Sequence, residues 1–314
     1  MAPGGQRLLI AYDGSPSAAA AVRAAANLFG DGRASVATVP PDPNLPVDTV
    51  FPGMSSGVVP RAIGDLRAEA QRQADETAEQ AAQRARALGL DAERVSVPPS
   101  VRAWAALLDA AHRLGADLLI CGTRGRGAFA RAVLGSTSSS LLHHADIPLL
   151  VVPDGDGALD GPVIAAYDGS EGARRAIQAV GRVLSGRATV VVHTWEPAGH
   201  RSLTAGALAA GAPVDDLRAI VAQLERELAD RAAATTEEGV AAARAAGLDA
   251  VGDTVESDKS AWRAVDAAAR AHGAAVIALG TRGFGAARSV LLGSVSSGLI
   301  QNAELPMLAV PGGP

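Results

Sequence analysis

The sequence predicts two tandem α/β domains, each with a five-stranded, mainly parallel sheet flanked by helices in a doubly wound arrangement. Three landmarks support this prediction, because each occurs twice and in the same order. Ala-Tyr-Asp-Gly-Ser stands at 11–15 and 166–170, and an apolar Pro-containing segment stands at 147–153 and 305–311. Between them, Gly-Thr-Arg-Gly at 122–125 and 280–283 is followed in both copies, after nine residues, by Gly-Ser. The offset of 155 to 158 residues is long enough for a complete domain.

Apolar runs and helical periodicity predict a regular alternation of strands and helices in the first copy. The strands are predicted at 7–12, 34–39, 94–97, 117–121 and 148–152, and the helices at 17–29, 61–88, 101–114 and 136–144. Ser15 and Pro16 are typical of the start of the first helix, and Gly89 is typical of the end of the second. This alternation implies parallel strands and a ligand crevice at their carboxyl ends.

The second copy repeats the order of the first, which places the boundaries of the two domains. We expect the first domain at 1–153 and the second at 163–314. The segment 154–162 between them is rich in Gly and Asp and has no periodicity, so it is the predicted linker.

The charge balance and composition exclude several classes of protein. The net charge is −5, which leaves no basic field to hold nucleic acid or an anionic membrane. No apolar run is long enough to span a membrane and no signal peptide is apparent at the N-terminus, so we expect a cytoplasmic protein. The single cysteine, Cys121, cannot form an internal disulfide.

Two familiar nucleotide motifs do not fit the chain. Gly-Arg-Gly-Ala-Phe-Ala at 125–130 satisfies the dinucleotide fingerprint, but it follows the fourth strand instead of the first, and the second copy breaks the pattern. A P-loop requires Gly-Lys, whereas Lys259 is the only lysine and is preceded by Asp258. NAD binding and Walker-type chemistry are therefore not expected.

The remaining pattern is G-x2-G-x9-G-S, present twice and each time between a strand and a helix. Glycines permit positive φ and close backbone approach, and a Gly-Ser pair at a helix start offers N–H groups to an anion. With Asp-Gly-Ser ending the first strand of each copy, the chain closely resembles the universal stress protein family in its tandem, Rossmann-like form.

The resemblance implies one ATP site in each domain, with Mg²⁺ held through the phosphates and with no catalytic residue and no metal ligand from the protein. Asp13 and Asp168 would lie on the nucleoside or metal side, and Thr38 and Thr194 at the adenine edge. The implied contacts in the first domain are Ala11, Asp13, Thr38, Gly122, Thr123, Arg124, Gly125, Arg126, Gly127, Gly135, Ser136 and Thr137. In the second domain they are Ala166, Asp168, Thr194, Gly280, Thr281, Arg282, Gly283, Phe284, Gly285, Gly293, Ser294 and Val295.

Several of these residues also have a simpler interpretation. Asp13 and Asp168 could serve only as turn residues, and Arg124, Arg126 and Arg282 could be solvated loop charges. The sequence shows no lysine near a γ-phosphate and no Ser-His-Asp arrangement, which favours binding over turnover. The resemblance thus implies a nucleotide-dependent stress or dormancy regulator. The alternatives are a slow ATP hydrolase, an adenylyl- or phosphoryl-transferring enzyme, or a scaffold with empty sites. The sequence is compatible with a homo-oligomer and does not identify a regulatory protein partner.

Overall fold

The fold was described from a computed structural model. It covers residues 5–30, 32–42, 58–125, 134–155, 159–197, 214–258, 260–281, 293–302 and 304–312. Two compact units are found, Met1–Asp156 and Gly157–Pro314. Each is described by itself below.

In the described part of the first unit, five strands alternate with four helices. The elements are β1 (Arg7–Ala11), α1 (Pro16–Leu28), β2 (Arg33–Thr38), α2 (Val58–Ala87), β3 (Asp91–Ser96), α3 (Ala103–Leu114), β4 (Leu118–Gly122), α4 (Ser136–His144) and β5 (Leu149–Val152). All strands are parallel, in the order β3-β2-β1-β4-β5. The sequence prediction of an α/β fold with a parallel sheet is confirmed.

The second unit repeats this arrangement. Its elements are β6 (Val163–Ala166), α5 (Glu171–Val183), β7 (Thr189–Trp195), α6 (Val214–Ala245), β8 (Ala250–Glu256), α7 (Ala261–Ala271), β9 (Val276–Gly280), α8 (Ser294–Asn302) and β10 (Met307–Val310). The strands are again parallel, in the order β8-β7-β6-β9-β10. The tandem two-domain organisation is therefore present in the fold as well as in the sequence.

The central strands form the core because nearly all of their side chains are apolar. β4 and β5 are buried along their whole length, and so is β10. Buried on both faces, such strands are typical of a parallel sheet covered by helices. The order of the strands reverses between β1 and β4, and a ligand crevice is expected outside the carboxyl ends at that point.

The first helix begins as its sequence predicts. Ser15 caps α1, because its Oγ accepts a hydrogen bond from the N–H of Ala18 at 3.2 Å, and Pro16 occupies the first turn. In the second unit the Oγ of Ser170 accepts from the N–H of Ala173 at the same distance. Both helices thus start directly at the crevice side of their sheet.

Candidate functional site

A cleft opens in the first unit at the carboxyl ends of β1 and β4, where the strand order reverses. It encloses about 150 Å³ among the described residues. Its walls come from the ends of three strands, from α1 and α3, and from the start of α4. The lining residues are Ala11, Tyr12, Asp13, Ala18, Ala37, Val39, Ala103, Leu107, Cys121, Gly122, Arg124, Gly125, Gly135, Ser136, Thr137 and Ser138.

Asp13 both builds the turn after β1 and faces the glycine loop. One carboxylate oxygen, Oδ1, accepts a hydrogen bond from the N–H of Ser15 at 2.9 Å, while Gly14 between them has φ of +83°. The other oxygen, Oδ2, would be 2.8 Å from a Cβ atom placed on Gly125. The two interpretations of Asp13 are therefore compatible, since the turn leaves one oxygen directed at the loop.

Asp168 builds the same turn in the second unit. Its Oδ1 accepts from the N–H of Ser170 at 2.9 Å, and Gly169 has φ of +81°. Ala166 ends β6 just before this turn, as Ala11 ends β1.

Gly122 has a packing role that the sequence did not suggest. We expected glycine here to supply positive φ and close approach to a phosphate, but neither Gly122 nor Gly125 has positive φ. A Cβ on Gly122 would lie 2.6 Å from the carbonyl carbon of Ser17 and 2.8 Å from the nitrogen of Ala18. The glycine lets the end of β4 pack directly against the first turn of α1.

Gly280 has the same packing role in the second unit. A Cβ there would be 2.6 Å from the carbonyl carbon and the oxygen of Gly172, in the first turn of α5.

The first turn of α4 lies at the cleft, and the N–H groups of a first turn have no acceptor within their own helix. Its cap residue, Gly135, makes no side-chain cap, and its own N–H donates to the carbonyl of Thr123 at 2.8 Å, which closes the loop. The hydroxyl of Ser138 donates to the carbonyl of Gly122 at 2.7 Å. Ser136 and the residue after it line the cleft, so the backbone of this first turn lies at its wall.

The second unit repeats both of these contacts. The N–H of Gly293 donates to the carbonyl of Thr281 at 3.2 Å, and the hydroxyl of Ser296 donates to the carbonyl of Gly280 at 3.0 Å. Ser294 and Val295 form the first turn of α8, in the place that Ser136 and Thr137 have in α4.

Arg124 contributes its backbone to the cleft while its side chain is held elsewhere. The guanidinium pairs with the carboxylate of Asp154 at 2.8 Å, and the side chain is 18% exposed. This ion pair is neither the phosphate contact that the resemblance implies nor a solvated loop charge, so a nucleotide contact of Arg124 stays a prediction. Arg126, Gly127, Arg282, Gly283, Phe284 and Gly285 lie outside the described residues.

Thr38 and Thr194, which the sequence prediction treated as equivalent, do not hold equivalent positions in strands β2 and β7. The N–H of Tyr12 donates to the carbonyl of Ala37, and the N–H of Tyr167 donates to that of Val192, both at 2.9 Å. Ala37 therefore corresponds to Val192, which makes His193 the counterpart of Thr38.

Side-chain alternation then explains which residue faces the cleft. Ala37 and Val39 line it and Thr38 does not, because successive residues of a strand point to opposite faces. The hydroxyl of Thr38 is buried and has no hydrogen-bond partner among the described residues. Val39 has the wall position, and Thr194 is its counterpart in the second unit.

Cys121 lines the cleft as a buried neutral thiol. Burial raises its pKa to about 12, the negative charge of Asp13 acts in the same direction, and the hydrogen bond with Ser138 opposes them. The position at the floor of the cleft agrees with the sequence, in which Cys121 directly precedes Gly122.

Some lining residues were not predicted as site residues. Ala103 and Leu107 come from the first turns of α3, and Tyr12 comes from the end of β1. Alternation along β2 could have identified Ala37 and Val39, whereas no local signal marks α3 as a wall.

The tyrosine after the first strand has a different partner in each unit. Arg84 donates to the hydroxyl of Tyr12 at 2.8 Å, while the hydroxyl of Tyr167 donates to Glu238 at 2.9 Å.

Comparison with known proteins agrees with the repeated fold. The model of the universal stress protein family matches residues 5–153 and again 161–311. The chain belongs to the universal stress protein family.

Relatives of known sequence carry the same family name. A universal stress protein of Mycolicibacterium smegmatis is 31% identical over 210 residues, which cover 65% of this chain and 64% of that protein. Universal stress protein Mb2028c of Mycobacterium bovis is 29% identical over 201 residues, covering 62% and 61%. The matched region thus spans less than two thirds of these relatives.

A solved structure has the same fold over nearly the whole chain. The crystal structure of a universal stress protein from Archaeoglobus fulgidus covers 97% of this chain and 98% of its own, with a TM-score of 0.64 and 20% identity.

None of the helices described is long and apolar enough for a membrane span. Among the described residues no group of three or more His, Cys, Asp or Glu side chains is placed to hold a metal ion.

Proposed function

We propose that this universal stress protein binds ATP in the cleft of its first unit and in the corresponding place of the second. The observation that supports this most directly is the start of α4, whose first turn has no side-chain cap among the described residues and lies at a cleft lined by Gly122, Gly125 and Gly135. Such a helix start favours an anion through both its free donors and its dipole.

The shape and chemistry of the cleft suit a nucleotide with its phosphates at one end. The phosphates would lie against the glycine loop and the start of α4. The nucleoside would lie against the apolar wall formed by Ala37, Val39, Ala103 and Leu107. A site with an apolar wall and a few convergent polar groups is the usual form of a small-molecule site.

Mg²⁺ would accompany the phosphates. The free Oδ2 of Asp13 lies beside Gly125, so it would repel a bound triphosphate unless a cation stood between them. Mg²⁺ usually uses one or two carboxylates together with substrate phosphates, so Asp13 would join the phosphates in holding the ion, although the resemblance implied no metal ligand from the protein. When bound, it would neutralise phosphate charge.

The site favours binding over rapid turnover. Among the described lining residues, the ionisable groups are Tyr12, Asp13, Cys121 and Arg124. Arg124 is paired with Asp154, and the thiol of Cys121 is neutral. Because no lysine or histidine is among these groups, we propose a regulatory protein whose bound ATP acts as a signal. We also propose that the protein is located in the cytoplasm.

The first experiment is a measurement of nucleotide content and binding. Purified protein is extracted for nucleotide chromatography, and protein stripped of nucleotide is titrated with Mg-ATP by calorimetry. We expect about two ATP molecules per chain. Folded protein that binds no ATP would falsify the proposed function and favour the scaffold alternative.

Incubation with labelled ATP then separates a binder from an enzyme. We expect turnover far below the roughly 1–100 s⁻¹ of dedicated kinases. A rate in that range would identify the chain as a phosphoryl-transferring enzyme instead.

A further inference from the structure

Two buried serines at the start of α1 hold the backbone of the glycine loop in the first unit. Ser15 and Ser17 are 2% and 1% exposed. Both hydroxyls donate to the carbonyl oxygen of Arg124, Ser15 at 3.1 Å and Ser17 at 2.5 Å. The Oγ of Ser17 also accepts from the N–H of Arg124 at 3.3 Å. We call these two side chains the serine clamp.

The serine clamp fixes the orientation of one peptide plane. No cis peptide bond is found in the described part of the chain, so the bond between Arg124 and Gly125 is trans. In a trans peptide the C=O and the N–H point in opposite directions. Because the carbonyl of Arg124 is directed at α1, the N–H of Gly125 must point away from α1.

The direction away from α1 leads to the start of α4. A Cβ on Gly135 would lie 3.5 Å from the nitrogen of Gly125 and 3.4 Å from the Cα of Arg124. Gly125 and Gly135 both line the cleft. The N–H of Gly125 therefore joins the free donors of α4 on one side of the site, whereas a flipped peptide would turn a carbonyl oxygen towards the anion.

The second unit lacks one half of this arrangement. Ser170 corresponds to Ser15, but Gly172 stands where the first unit has Ser17. Gly172 packs against Gly280 as Ser17 packs against Gly122, so the two positions are equivalent in the fold. The second unit has no hydroxyl at this point.

We infer that Ser17 is a positioning residue that presets the Gly125 amide for a phosphate, and that the two nucleotide sites of this chain are unequal because Gly172 replaces it. The inference rests on the proposed ATP binding. The first site is preorganised by the hydroxyl of Ser17, the second site lacks that hydroxyl, and preorganisation lowers the cost of binding.

The test compares matched substitutions at the two positions in the full chain. Ser17→Ala keeps the Cβ and removes only the hydroxyl. In the second unit, Gly172→Ser adds the hydroxyl, and Gly172→Ala is its control because it adds only the Cβ. Mg-ATP and adenosine are titrated separately, and hydrogen exchange of peptides from each unit assigns the binding to its site.

We expect Ser17→Ala to weaken ATP binding at the first site about five- to tenfold, the usual effect of one lost hydrogen bond. Adenosine affinity and the second site should not change, because the clamp acts only on the phosphate end. Gly172→Ser should tighten ATP binding at the second site relative to Gly172→Ala. Without nucleotide, the Arg124 amide should exchange faster in Ser17→Ala.

Each other outcome has a definite meaning. Equal losses for ATP and adenosine would show a general structural effect and overturn the positioning role. Unchanged ATP affinity in Ser17→Ala, with wild-type protein that binds ATP, would overturn the inference and leave the proposed function intact. Wild-type protein that binds no ATP would overturn both.

Discussion

Because Gly122 packs against α1, we expect Gly122→Ala to lower the stability of the fold strongly, although it adds only one methyl group. In Gly122→Ala the added methyl carbon would lie 2.5 Å from the Oγ of Ser17, 2.6 Å from its carbonyl carbon and 2.8 Å from the nitrogen of Ala18. The hydroxyl can rotate, but the other two atoms belong to the backbone of a helix start. Relief therefore requires α1 or β4 to move.

The expected loss of stability follows from this geometry. Overpacking of a core usually costs about 1–3 kcal/mol, and a contact with backbone on two sides favours the upper half of that range. For a unit of about 150 residues, 2 kcal/mol lowers the Tm by about 4–8 °C. Differential scanning calorimetry measures the shift, and hydrogen exchange assigns it to the first unit.

Gly64→Ala is the matched control, because a Cβ on Gly64 meets nothing within 4 Å and the residue is exposed within α2. It should leave stability unchanged or raise it by about 0.5–1 kcal/mol. Gly280→Ala should reproduce the loss in the second unit, where the added carbon would lie 2.6 Å from Gly172 backbone atoms. If Gly122→Ala were as stable as Gly64→Ala, the proposed reason for this glycine would be wrong.

Three further measurements test individual side chains. Cys121, with its pKa raised to about 12 by burial, should react slowly with thiol reagents at neutral pH, and saturating Mg-ATP should slow it further by covering the loop. Equal labelling rates with and without bound ATP would place the phosphates away from this cysteine. Thr38→Val should stabilise the fold by about 1 kcal/mol in thermal denaturation, because the buried hydroxyl has no partner among the described residues. A loss of stability would reveal a partner. Burial and the bond to Glu238 raise the pKa of Tyr167 to about 12, so its stabilising contribution is complete below its ordinary pKa of 10 and is lost as the pH rises through 12. Phenolate absorbance should show a lower pKa for Tyr167 in Glu238→Gln, and an unchanged value would contradict the role of this bond.

The fold could be predicted from the sequence because the repeated elements have strong local patterns. The helix predicted at 136–144 is α4 (Ser136–His144), and the strand predicted at 148–152 is β5 (Leu149–Val152). The weakly patterned third strand is longer than predicted, at Asp91–Ser96. Its side chains are mostly exposed, so apolar periodicity gives little indication of its start.

The site could be predicted only in part, because its decisive contacts join distant segments. The glycine spacing located Gly122, Gly125 and Gly135 correctly at one cleft, yet the reason for Gly122 depends on a helix about 105 residues earlier in the chain. The bond from Ser17 to Arg124 spans 107 residues and has no sequence signature. Such contacts follow from tertiary packing, which a pattern of spacings does not contain.

The register of β2 and β7 shows a second limit. The sequence prediction paired Thr38 with Thr194. The backbone pairing of the strands shows instead that Val39 is the counterpart of Thr194. A shift of one residue moves a side chain to the opposite face of a sheet, so an alignment error of one position exchanged a wall residue for a buried one.

The difference between Ser17 and Gly172 has a consequence for how the chain would respond in a cell. Two identical sites fill over the same narrow interval of nucleotide concentration. A site that Ser17 presets and a site without this hydroxyl would fill one after the other, so the binding isotherm of a single chain would broaden. The duplicated domain would then extend the dynamic range of a nucleotide sensor, and the presence or absence of one hydroxyl group would set the separation between its two steps.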